Sequence, residues 1–296
     1  MSGQPPTGSS DPTNGPSVDD ILPALAEDRG SPLLLGAHSE EETRARLQAC
    51  GVIDRLADLG FRVLRFEISP YRVEGQTIRM YDEVADPDRL LIDLRLRLED
   101  VIPAVRFVTE EPLREARMLR IEWLALQNPR GAFTPEQPRL PDQRHPGLGL
   151  GAHAVRFLEH LAHDHRCDGL LSFPEHYHNA VMYARRFVFF HAGRQGAHQG
   201  MLRDLQDRTL AERSFAIDAG CLLSEPGARL EAWVASEMVL PISRRLLEIV
   251  RSRFWRREER EGERARSWRI DWERFDDQQP PGGPGPGDPA RSAGRL

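Results

Sequence analysis

The clearest pattern in the chain is a strict alternation at 90–99, where Ile92, Leu94, Leu96 and Leu98 interleave with Asp93, Arg95, Arg97 and Glu99. A period of two puts the two sets on opposite sides of a strand, so the stretch predicts one buried and one wet face. Strand formers also dominate 61–68 and 76–81, which meet across a turn at Gly75. A fourth run, 118–127, carries Glu122 and Trp123 and stops at Asn128-Pro129. Upstream, Ser39 stands three residues before Glu42, the spacing of a capping box, and opens a helix toward Gly51. A second short helix is predicted at 53–59.

The Pro- and Gln-rich segment 128–143 reads as a long surface loop. After it the period changes. Val155, Leu158 and Leu161 recur on one side of a helix over 149–163, followed by a strand at 168–173, a helix at 177–186 and a strand at 187–190. Past residue 200 the pattern predicts a helix at 201–212, apolar stretches at 214–223 and 230–240, and an amphipathic helix at 241–254. A charged helical stretch then spans 251–275. Its aromatics, among them Trp255, Trp268 and Phe275, are suited to dock on the body of the protein or on a second copy in a homodimer. This order predicts an α/β (α+β) fold, a mixed sheet flanked by helices with a C-terminal extension. The Gly- and Pro-rich ends, 1–17 and 276–296, are predicted to be disordered. Between them, 18–200 is expected to form the main domain and 201–275 an extension or subdomain.

Composition removes several function classes. The formal charge of -6 disfavours a nucleic-acid partner, which needs a concentrated basic face. All 40 basic residues are arginine, so neither a Schiff-base lysine nor a P-loop lysine is available. Cys50, Cys167 and Cys221 have no paired spacing, which fits a reducing compartment. No apolar run reaches the length of a membrane span, and the first residues lack a signal-peptide pattern. These features predict a cytoplasmic protein without a membrane partner.

Candidate chemistry centres on Arg144-His-Pro-Gly-Leu-Gly-Leu-Gly151, which runs directly into a helical pattern. A helix start offers unpaired amides and partial positive charge. Gly147, Gly149 and Gly151 remove side-chain bulk there, so a pyrophosphate can approach, with Arg144 adding charge. The alternating glycines match neither the dinucleotide fingerprint nor the Walker motif. Farther on, Asn179 and Tyr183 share one helix face.

Arg144-x-x-Gly147-x-Gly149 resembles the Arg/Gln-x-x-Gly-x-Gly/Ala signature of the GCN5-related N-acetyltransferase (GNAT) superfamily. Asn179-x-x-x-Tyr183 before Arg186-Phe187 is similar to that family's later motif, and the distance between the two motifs fits. The resemblance spans roughly 60–190 and implies acetyl-CoA, or another acyl-CoA, as cofactor. It also implies an amine, small molecule or peptide, as acceptor. It makes 118–127 the fourth strand, whose backbone at Leu124 and Leu126 would pair with the pantetheine arm. A splayed pair of parallel strands should lie beside Gly147. Asn179 would contact pantetheine, Tyr183 would protonate the leaving thiolate, and Glu122 would be a possible base; apart from the resemblance, His176 or His178, just before Asn179, is a candidate base or substrate contact. A non-catalytic module of the same fold is the second expectation. A metal-dependent hydrolase is the third, because nine of ten histidines fall between 145 and 198, several of them at 160–178.

Overall fold

The alternating stretch forms the long third strand of a seven-stranded sheet. The computed structural model describes residues 32–101 and 115–278. The Gly- and Pro-rich ends read above lie outside them, apart from 276–278. Two helices come first, α1 (Glu40–Ala49) and α2 (Val52–Asp58), and Ser39 and Glu42 make the capping box at the start of α1. Then follow β1 (Leu64–Ile68), β2 (Gln76–Asp82), β3 (Leu90–Val101) and β4 (Ala116–Leu126), an antiparallel run in chain order. Next come α3 (Gly151–Asp164), β5 (Gly169–Ser172), α4 (Tyr177–Tyr183) and β6 (Val188–Phe189).

The C-terminal part comprises α5 (Ala192–Asp204), α6 (Leu210–Asp218), β7 (Leu222–Glu225), β8 (Arg229–Glu231), β9 (Met238–Pro241), α7 (Arg244–Val250), α8 (Arg253–Arg264), β10 (Ser267–Ile270) and α9 (Trp272–Asp277). The main sheet has the order β1-β2-β3-β4-β5-β9-β6, with β4 and β5 as its parallel pair. A strand from the C-terminal part, β9, thus sits between β5 and β6 and completes this sheet. A second sheet, β10-β7-β8, stands apart from it.

Alternation explains how the layers pack. Leu119, Leu170 and Met238 point into one core with Leu47, Leu56, Phe157 and Leu161 of the N-terminal helices and α3. Their neighbours Met118, Leu171 and Val239 point the other way, onto Leu246, Ile249 and Trp255 of α7 and α8. The sheet centre is therefore buried on both faces, which is why β5 reads as a continuous apolar run. A third core joins α5, α6 and the small sheet around Tyr177, Met201, Ile217 and Trp268.

Several predicted elements have different bounds, among them the helix expected at 177–186, which ends at Tyr183. The helix expected at 149–163 starts at Gly151, because Gly149 takes a φ of 70° that no helical residue adopts. The helix expected at 201–212 is two helices: Thr209 and Glu212 form a capping box that starts α6 afresh. The helix expected at 241–254 begins only after the N-cap Ser243 and stops at Val250, since Pro241 ends strand β9. The charged stretch 251–275 is broken by β10, which pairs with β7. Trp255, Trp268 and Phe275 are buried within this same chain.

Candidate functional site

Strands β4 and β5 pair only from Met118↔Gly169 to Ile121↔Ser172. There β5 ends and β4 continues, so the two part at a fork. A β-bulge lies at the same level: Ile121 faces Leu96 and Trp123 faces Arg95, leaving Glu122 as the extra residue. The Glu122 carboxylate lies 3.0 Å from both Arg97 and Arg120, and Glu99 bridges the same two arginines at 3.2 and 3.1 Å. Arg120 also lies over the Phe173 ring, 4.5 Å from its centre. Glu122 is thus one residue past the fork, fixed by two guanidinium groups.

The long loop comes back to where it left. Asn128 N–H donates to Pro146 C=O at 2.7 Å, Gln127 bridges Gly147, and Leu148 N–H donates to Leu126 C=O at 3.2 Å. The excursion is a closed insertion, and Gly147 follows the fourth strand directly in space. Gln137 Nε2 donates to Gly147 C=O and holds the loop against the segment. Leu124, Leu126, Gly147 and Gly149 are therefore brought together at the open end of β4.

At the start of α3 no side chain caps the helix, and the first intrahelical bond is Ala154 N–H to Leu150 C=O. The Gly151, Ala152 and His153 amides are the orphan donors of that terminus. Arg144 is exposed and makes no ion pair among the described residues. Arg55 of α2, which the sequence reading missed, brings its guanidinium beside Gly149. No local signal marks Arg55, because its position depends on how α2 packs beside α3.

Tyr183 packs against the main core from α4, with its ring 5.5 Å from Phe187. Burial raises its phenol pKa, and a hydrogen bond with Ser172 offsets part of that rise. Ser172, another residue missed from sequence, is the last residue of β5, so the phenol stands at the fork. Asn179 lies one turn before Tyr183 on α4 and is half-buried. His178 is not gathered with them. It stacks on His176, ring centres 5.3 Å apart, while His176 bridges Asp142 of the loop at 2.9 Å and Asp218 at 2.8 Å.

The remaining histidines scatter over separate partners. His160 contacts Cys50, His153 meets the Cys50 carbonyl, and His165 packs on His38. Among the described residues no group of three or more His, Cys, Asp or Glu side chains gathers as a metal site would, which leaves the hydrolase reading without a ligand set.

Two buried histidines set a pH response. Burial, then the charge of a neighbour (His176 for His178, Arg194 for His198), lowers each pKa to about 4. Unfolding returns each to about 6.5, so the unfolded chain binds more protons between those values. Their contribution is full above 6.5 and is lost as pH falls toward 4. At pH 5 each should cost roughly 2 kcal/mol relative to pH 7. His198 sits in a cage of Tyr177, Phe189 and Trp233 with neither ring nitrogen hydrogen-bonded among the described residues. Urea titrations at pH 7 and 5 should show His198→Leu losing about 2 kcal/mol less than wild type over that interval. Equal losses in the two proteins would exclude this origin.

No protein-family model matches this sequence, and no curated protein aligns with it. The helices of the described residues are too short or too polar to cross a membrane. The architecture is an α/β fold whose mixed sheet, flanked by helices, resembles the acetyltransferase arrangement.

Proposed function

We propose that this chain is an acyl-CoA-dependent N-acyltransferase that passes an acyl group, acetyl in the simplest case, directly to an amine. The observation that carries the reading is the fork at Ile121 and Ser172, with the Tyr183 phenol on Ser172 and the glycine segment returned to the free end of β4. The uncapped amides of α3, with Arg55 near them, fit a pyrophosphate. The edge of β4 beyond Ile121, at Leu124, fits an extended amide-bearing arm that bonds backbone to backbone, while the Leu126 C=O is taken by the Leu148 N–H. Asn179 fits the same arm from α4.

In this reading the amine nitrogen attacks the thioester carbonyl carbon, the C–S bond breaks, and Tyr183 gives its proton to the departing sulfur. A phenol with a raised pKa stays protonated at neutral pH and is available as that acid. Backbone N–H groups of β4 would hold the tetrahedral oxyanion. Glu122, one residue past the fork and held by Arg97 and Arg120, would receive the amine proton. His178, turned to the loop with His176, is given no step. A non-catalytic CoA-binding module is the second reading, and the phenol separates the two.

Calorimetric titration with acetyl-CoA and with free CoA tests the reading. A Cβ at Gly147 meets nothing closer than 3.6 Å, so Gly147→Asp adds a carboxylate without strain. It should weaken both ligands by roughly tenfold or more through charge repulsion. Absence of binding to wild type, or affinities unmoved by the substitution, would reject the site.

A further inference from the structure

On the sheet face opposite α3, a cavity of about 600 Å3 lies between β4, β5 and β9 on one side and α5 and α8 on the other. Its size falls in the range of small-molecule sites. The walls are mainly apolar, formed by Met118, Leu171, Val239, Leu246, Ala197 and Met201. Five charged or titratable groups also face it. Glu231 is already engaged by Arg266 and by the Ser224 hydroxyl, each at 2.8 Å. Glu237, His191 and Arg266 are exposed and solvated at the rim. Arg194 differs from these. It is half-buried, bonds the Val234 carbonyl and lies over Trp233, but makes no ion pair among the described residues.

A guanidinium withdrawn from water with no ion pair among the described residues is costly, and burial accordingly lowers the Arg194 pKa, which the charge of Glu231 only partly offsets. A half-buried cation without an ion pair beside apolar walls calls for a ligand with an anionic acceptor head and an apolar body. We propose that this cavity binds a small apolar carboxylic acid, with its carboxylate on Arg194 and its hydrocarbon body against the sheet. The inference stands apart from the acyl-CoA reading, which concerns the fork.

The test is calorimetry on the full chain at pH 7 with decanoate, decanol and decylamine, which share a tail and differ in the head. Decanoate should bind, and decanol should bind about tenfold or more weakly, as expected for losing a charge-assisted hydrogen bond. Arg194→Gln keeps a donor for Val234 and should bring decanoate down to the decanol level while leaving decanol unchanged. Ala197→Phe, which fills the cavity, should abolish binding of both, with folding of each variant checked by its thermal transition. The proposal fails if wild type binds no decanoate, if Arg194→Gln leaves the acid-to-alcohol ratio intact, or if decylamine binds tightest.

Discussion

A Gly196→Ala variant is expected to unfold about 6–12 °C below wild type in a calorimetric scan, a loss of about 3 kcal/mol. A Cβ on Gly196 would stand 1.9 Å from the Glu259 carbonyl oxygen and 2.6 Å from the Glu263 nitrogen, both backbone atoms of α8. Backbone cannot rotate aside as a side-chain tip does, so α5 and α8 would have to separate. The same crossing buries Gly262, whose Cβ would meet the Gly193 carbonyl oxygen at 2.5 Å, and Gly262→Ala should behave alike. The contact couples α5 to Trp255 and Trp268, which belong to two of the three cores. Gly151→Ala is the control. Its Cβ meets nothing within 4 Å, and alanine is the better helix former, so its transition should stay at or slightly above wild type. A Gly196→Ala transition within about 2 °C of wild type would mean that the helices do not meet at this distance.

The second large effect concerns chemistry. If the proposed function holds, Tyr183→Phe should lower turnover of acetyl-CoA with an accepted amine by about 10²–10⁴-fold, the usual yield of a positioned general acid. Affinity for acetyl-CoA should change little, because phenylalanine keeps the packing against Phe187 and removes only the hydroxyl that meets Ser172. Thiol release read continuously, beside calorimetric affinity, separates the two quantities. Unchanged turnover would exclude Tyr183 as the acid, and unchanged binding with no turnover in wild type would favour the non-catalytic reading. Since burial raises the phenol pKa, wild-type turnover should not decline from loss of this proton until pH exceeds about 10.

Much of the fold was legible because its signals are local. The alternation at 90–99 needs only the pleat of one strand, and it predicted β3 with its buried side at Ile92, Leu94 and Leu96. The capping box at Ser39 is satisfied within four residues, so its meaning does not depend on the rest of the chain. The failures have two causes. Residues 192–200 carry Gly193, Gly196 and Gly200, which weaken a helical pattern, yet α5 forms there because those glycines admit α8. Propensity argued against the helix and packing overrode it. The breaks at Ser243, Ser252 and Thr209 are local caps that an apolar periodicity smooths over.

The sequence by itself determined the α/β class, the four leading strands, and the residue types from which a phosphate-binding turn and a phenol can be assembled. Periodicity, capping and glycine chemistry act over a few residues and can be read there. Tertiary structure alone decided that the 128–146 excursion closes on itself, with Asn128 bonded to Pro146, so that Gly147 lies beside the end of β4. It alone placed β9 between β5 and β6, set Ser172 against Tyr183 at the fork, and left Arg194 on the far face without an ion pair among the described residues. Each of these is a meeting of groups distant in the chain, fixed by backbone pairing and core packing rather than by the preference of any one segment.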